Sequence, residues 1–224
     1  MSTRLAAFAA RFRRDTSGVA LLEFALTLPV LLLLSLTGAE LTNYITTKMR
    51  ISQISLHLAD NAARIGSGTQ LSLKTISESD INDLFIGANM QSGELALRTN
   101  GRIILSSVEP DPSNTGKYKI VWQRCYGLKT THASTYGVAG ASNLTGVGPA
   151  GRQTVAPASG VAMFVEVYYV YQPLVKASIA PNTDMTEIAS MMVRDRRDTS
   201  DDTATTNLHP KGVYKVTGVT ASTC

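Results

Sequence analysis

The 224-residue chain contains few of the residues that reactive chemistry uses: two cysteines, three histidines, one tryptophan and a charged fraction of 17%. His57, His132 and His209 lie far apart and in no metal-ligand spacing. No HExxH, GxSxG or CxxC occurs, which removes the motif-borne zincin, serine-hydrolase and dithiol chemistries. The glycine-rich stretch from Gly137 to Gly160 does not end in GK[ST], so it is not a phosphate loop. A cysteine nucleophile needs a positioned histidine; Cys125 and His132 are seven residues apart, and a disulfide accounts for the cysteine more simply. No internal repeat stands out. The chain is therefore read as non-enzymatic, with no catalytic residue, no metal and no cofactor.

Positive charge is equally localised. The formal net charge is +4, and Arg4, Arg11, Arg13 and Arg14 all fall in the amino-terminal leader. The remainder is nearly balanced, so the excess marks a basic tail, not the basic face that nucleic acid requires, and no nucleic-acid partner is expected. The two cysteines, Cys125 and Cys224, suffice for one disulfide if the domain lies in an oxidising compartment; in a reducing one they remain thiols.

What the chain does have is one long apolar run. "VALLEFALTLPVLLLLSL" covers residues 19–36 with Glu23, Thr27 and Ser35 as its polar members. Extended to Ala39 it has about 21 residues, the length of a membrane span. The preceding arginines, opposed only by Asp15, place the amino terminus in the cytoplasm by the positive-inside rule. Pro29 is tolerated in such a helix if neighbours or Thr27 serve the freed carbonyl.

Glu23 is the anomaly. A carboxylate inside a span costs on the order of 2.5–3.5 kcal/mol if central and less near the interface. Neither a secretory signal cut after Ala39 nor a plain uncleaved anchor needs it. The spacing offers a reason, since Glu23 is the fifth residue after Gly18. A cut between Gly18 and Val19 creates an ammonium group about one helical turn from Glu23. A packed neighbour then pairs its own ammonium with this carboxylate in a medium of low dielectric.

"GVALLEFA" resembles the cleavage site of type IV-like prepilins. The opening "FRRDTSGVALLEFALTLPVLLLLSL" most closely resembles the TadE-like minor pseudopilins of the Tad (tight adherence, Flp) pilus, on Gly18, Ala20, Glu23, Phe24, Ala25, Leu28 and Pro29. The resemblance covers roughly residues 11–40 and thins beyond them, where "VWQRCYG" and "VEVYYVYQPL" carry it weakly. It implies processing at Gly18 and Val19 by a membrane aspartyl prepilin peptidase, with Glu23 as the assembly carboxylate. It also implies partners: other pilins or pseudopilins, the inner-membrane assembly platform and the bilayer itself.

Beyond the span, Tyr44, Ile51, Ile54, Leu58, Ala62 and Ile65 form one helical stripe, and Gly66 with Gly68 supplies a stop. A continuous helix from Val19 to Ile65 has roughly 47 residues, or ~70 Å at the α-helical rise. A short helix is expected over Ile76–Met90, opened by Ser77 and Asp80 at capping-box-like spacing. Asn100-Gly101 predicts a two-residue type I′ hairpin between "ELALRT" and "RIILSSVEP". "KYKIVWQRCYG" and "VAMFVEVYYVYQPLV" read as strands, the latter central and ended by Pro173. "TEIASMMVRDRR" reads equally as strand or short helix, and "VYKVTGV" (residues 213–219) as a last strand. Six glycines and two prolines in residues 137–160 predict a mobile loop. Asp195, Asp198, Asp201 and Asp202 lack EF-hand spacing, so a solvated charged loop is expected there instead of a calcium site. Trp122, Tyr168, Tyr169 and Tyr171 are assigned to core and sheet surface.

The expected organisation is a cleaved basic leader (1–18), a transmembrane helix (19–39), a helix extension (40–66) and a periplasmic α+β domain with a small antiparallel sheet (67–224). The function expected is that of a minor pilin or pseudopilin anchored in a bacterial inner membrane, its carboxy-terminal domain periplasmic. The alternatives are a periplasmic binding or adhesion module released at Glu40, and an uncut envelope scaffold.

Overall fold

The computed structural model describes residues 18–68, 72–175, 183–203 and 208–224. The leader arginines lie outside these residues. The chain forms two compact units, one of residues 1–44 and 173–181, the other of residues 45–172 and 182–224.

Helix α1, Val19–Arg64, contributes to both units. In the first, none of Val19–Ala39 is buried, and Leu21, Leu22, Leu26 and Leu33 are all more than 60% exposed. Pro29 sits inside the helix, but the Thr27 hydroxyl donates to the Phe24 carbonyl (3.3 Å) and not to that of Ala25, which Pro29 deprives of its donor. Hydroxyls of Thr37 and Thr42 likewise bond back to Leu33 and Gly38, hiding their polarity against the backbone.

In the second unit the helix changes character. Ile51, Ile54, Leu58, Ala59 and Ala62 are buried at helical spacing, while Ser52, Gln53 and His57 stay outside. The helix ends at Arg64. Arg197 closes it by donating from Nη2 to the carbonyls of Ala62, Ala63 and Ile65, a cation placed at the negative end of the helix dipole.

Strand β1 (Ile76–Ser77) leads into helix α2 (Glu78–Ser92), which has the capping box its sequence announces: Ser77 Oγ accepts from Asp80 N, and Asp80 Oδ2 accepts from Ser77 N at 2.9 Å. Ile81, Leu84, Phe85 and Ala88 form its buried face.

The Asn100-Gly101 hairpin is not formed. Residues Leu97–Asn100 make a short helix, α3, and β2 starts at Gly101. Local polar groups win over the turn propensity, since Ser92 Oγ accepts from Leu97 N and Asn89 Oδ1 from Arg98 N. Tyr169 Oη and Asn100 Nδ2 both donate to the Leu95 carbonyl. Gly101 is extended, at φ −137°, and its glycine serves close approach: a Cβ there would sit 2.6 Å from Leu97 and 2.7 Å from the Tyr168 carbonyl.

The main sheet is antiparallel with order β3-β2-β4-β5, from β2 (Gly101–Pro110), β3 (Tyr118–Tyr126), β4 (Ala162–Val170) and β5 (Asp184–Met192). The 184–192 stretch thus resolves as a strand. The expected strand 213–219 shrinks to β6, Val213–Tyr214, paired in parallel with β1 in a second small sheet, because Val216–Val219 turns back on itself.

One face of the main sheet carries the row Tyr126, Ile103, Val167, Glu187 by register. Helices contact this face: Phe85 stacks on Tyr126, Glu78 pairs with Arg124, and Lys48 lies 3.7 Å from Glu187. The opposite face carries Gln123, Ser106 and Phe164 and is covered by the connection from β3 to β4. The glycine-rich part of that connection is packed, contrary to its mobile appearance in sequence. Val147 and Ala156 join Val108, Ile120, Ala162 and Phe164 in one apolar cluster, with Tyr136 edge-on to Phe164. The same connection pairs Leu144 and Gly140 with the outer edge of β3, and the carboxy-terminal tail continues the cover through Cys125 N and the Ser222 carbonyl.

Cys125 and Cys224 form a disulfide across 99 residues. In the chain-entropy model a loop of that size stabilises the fold by up to about 4–5 kcal/mol. Asp111 fixes the β2–β3 connection, accepting from Asn114 Nδ2 and Asn143 N at 2.9 Å and from Ser113 N at 3.0 Å. These bonds, that of Asn114 foremost, hold its carboxyl below the ordinary aspartate range. A depressed folded-state pKa stabilises above the unfolded value and loses that stabilisation as pH falls through the folded one. The stability difference between wild type and Asp111→Ala is accordingly constant at neutral pH and shrinks below about pH 4. Urea titrations across that range check this; a difference independent of pH contradicts it.

Candidate functional site

The Gly18–Val19 segment opens α1. Gly18 accepts from Leu22 N at 3.1 Å, and Val19 is the first helical residue. The proposed scissile bond thus lies at the boundary where helix begins. Val19 and Glu23 are one turn apart (i, i+4) and share a helix face. Glu23 is exposed among exposed apolar neighbours, with Phe24 59% and Leu22 63% accessible. Among the described residues Glu23 has no hydrogen-bond or ion-pair partner.

Among the described residues such a carboxylate is left to be completed from elsewhere. It accepts hydrogen bonds and attracts a cation, and a pair formed there would be stronger in a medium of low dielectric. The local chemistry available is therefore non-covalent: recognition of one positive group at one depth along an apolar helix.

The second unit holds a further concentration of polar groups that sequence reading missed. Glu166, fully buried at the centre of β4, accepts from Ser134 Oγ (3.1 Å), Thr135 Oγ1 (2.6 Å) and Thr135 N (3.1 Å), and lies 3.2 Å from His132 Nε2. His132 stacks on Tyr168 with ring centroids 3.9 Å apart. This set contains a serine, a histidine and an acid but has the wrong order for nucleophilic catalysis. The Ser134 proton goes to the carboxylate and not to the imidazole, so no base activates the hydroxyl. The arrangement instead pins the 132–135 loop to the sheet. Its one sequence signal was the glutamate interrupting "AMFVEVYYV".

A further buried ion pair joins α2 to β3. Arg124 Nε donates to Glu78 Oε2 at 2.9 Å and Nη2 meets Oε1, while Trp122 lies 5.7 Å from the guanidinium carbon. Trp122, Tyr169 and Tyr171 are buried and Tyr168 is half-buried, in keeping with core and sheet surface.

The acidic run 195–202 is engaged internally. Asp195 pairs with Lys74 at 2.7 Å, Asp198 accepts from Ser200 and Tyr214, and Asp201 accepts from Lys211 N. Among the described residues no group of three or more His, Cys, Asp or Glu is placed to hold a metal ion. A cavity of about 690 Å³ beside this run is lined by Arg194, Arg196, Arg197 and Glu109 among others. Burial pushes Arg197 down to about 10 and Glu109 up, yet Arg197 stays cationic at neutral pH, its Nη2 held by the α1 carbonyls.

No family model, no curated protein and no solved structure matches the chain.

Removing the Glu166 carboxylate strands three donors, Ser134 Oγ, Thr135 Oγ1 and Thr135 N, and takes away the partner of His132. Glu166→Ala should lower the unfolding free energy by about 3 kcal/mol, with Glu166→Gln costing less. Chemical denaturation followed by Trp122 fluorescence measures this; a change within about 0.5 kcal/mol, the scale of a surface substitution, contradicts the pinning role.

Proposed function

We propose that this protein is a minor, prepilin-like subunit of a Tad-type pilus system. The leader of residues 1–18 holds the precursor with its amino terminus in the cytoplasm, and a prepilin peptidase cuts between Gly18 and Val19. The mature helix then packs in the membrane against the helices of other pilins or pseudopilins. Glu23 accepts the new ammonium group of a neighbour, which fixes the axial register of the two helices. The domain beyond α1 stands in the periplasm and meets partner subunits there. The role is structural, with no reaction catalysed by the chain itself.

The observation that carries this reading is Glu23 itself. It stands one turn after the first helical residue, exposed on an apolar helix and unpartnered among the described residues of its own chain. A signal peptide or a simple anchor gains nothing from that charge, whereas register-setting pairing in low dielectric needs it. The length and composition of Val19–Ala39 suit a span, which the reading also requires.

Glu23→Ala should insert into the membrane at least as well as wild type, because it loses a polar group, and should fail to assemble. Fractionation reports insertion; pilus yield and crosslinking to neighbouring subunits report assembly. Wild-type piliation in this variant contradicts the proposed mechanism.

A further inference from the structure

The apolar run of α1 ends at Ala39, and the next residue, Glu40, is only 1% exposed. What lies against it is the beginning of the connection from β4 to β5. Glu40 Oε2 accepts from the backbone N–H of Val175 at 2.9 Å. That hydrogen bond ties Pro173–Val175 to the first turn of α1 past the apolar run. Pro173 cannot extend β4, and Leu174, between it and the tethered Val175, is 66% exposed.

Depth along the helix gives this geometry a consequence. Val19–Ala39 spans about 32 Å at 1.5 Å per residue, which fills the ~30 Å hydrocarbon core of a bilayer. Glu40 then emerges in the headgroup layer, and Tyr44, one turn on, is the residue type enriched at that level. Whatever is hydrogen-bonded to Glu40 shares its depth.

We infer that Pro173–Val175 forms a lipid contact at the outer membrane–water boundary, with Leu174 inserted among the headgroups and Glu40 as the residue that positions it. The inference rests on the reading of Val19–Ala39 as a span and is independent of any role in a pilus. The contact gives the anchor a second point of attachment to the membrane surface, at Pro173–Val175. The recognised partner is the bilayer surface as an apolar–polar boundary; nothing at Pro173–Val175 selects a particular headgroup.

Site-directed spin labelling tests it on the full chain in vesicles of phosphatidylethanolamine and phosphatidylglycerol. Both native cysteines are in the disulfide, so each single-cysteine variant carries one reactive thiol. Leu174→Cys is compared with Leu32→Cys, inside the apolar run, and with Leu128→Cys, an exposed leucine of the other unit. The label at 174 should show several-fold lower accessibility to a water-soluble nickel chelate than the label at 128, and a shallower depth than the label at 32. Glu40→Ala should shift the 174 label toward water. A 174 label as nickel-accessible as that at 128, with the 32 label in lipid, overturns this inference alone. A 32 label in water overturns the span and the inference with it. A 174 label unmoved by Glu40→Ala overturns the positioning role of Glu40.

Discussion

Helix α1 has to present two different side-chain surfaces on one continuous backbone. From Val19 to Ala39 it shows leucine on every side and buries nothing; from Ile51 to Ala62 it buries a single stripe and leaves its other faces polar. An α-helix can carry both surfaces because its backbone hydrogen bonds are internal, so only the side chains need to change along it. The change occupies the turns between Ala39 and Ile51, opening with the buried Glu40, and the helix is closed at its far end by Arg197.

The sheet unit follows from a different constraint. A four-stranded antiparallel sheet exposes two faces and two edges, and an unprotected edge invites unwanted pairing. Here helices cover one face and the long β3–β4 connection covers the other. The edge of β3 is closed by Gly140, Leu144 and the tail that the disulfide secures. Buried charges sit where these covers attach: Glu166 under the connection and Glu78 with Arg124 under α2. Each is fully hydrogen-bonded or paired, which is the condition for a buried carboxylate not to destabilise its surroundings. These buried carboxylates are thus spent on fastening, whereas Glu23 is left without such a partner among the described residues of its chain.

Features governed by neighbouring residues were legible in the sequence. The capping box at Ser77 and Asp80, the stripe through Ile51 and Leu58, the alternating strand at 118–126 and the β-branched, aromatic strand at 162–170 are all short-range patterns. Asn100-Gly101 misled because its turn propensity competes with Ser92, Asn89 and Tyr169, all of which lie outside the expected hairpin. The packing of the glycine-rich connection was hidden for a related reason: glycine content speaks to backbone freedom, while Val147, Ala156 and Tyr136 supply the contacts. Glu166 and Arg197 were illegible as sites, since their partners lie more than thirty residues away. The Gly18-to-Glu23 spacing was readable from the start, and the structure adds that helix begins at Val19.

The account turns on whether Val19 becomes a free amino terminus, because only then does a neighbour offer Glu23 its cation. The decisive measurement is the amino-terminal sequence of the protein isolated from its native membrane, with and without the prepilin peptidase. The account predicts a chain that starts at Val19 when the peptidase is present and at Met1 when it is absent. A chain that starts at Glu40, or at Met1 in both cases, contradicts it.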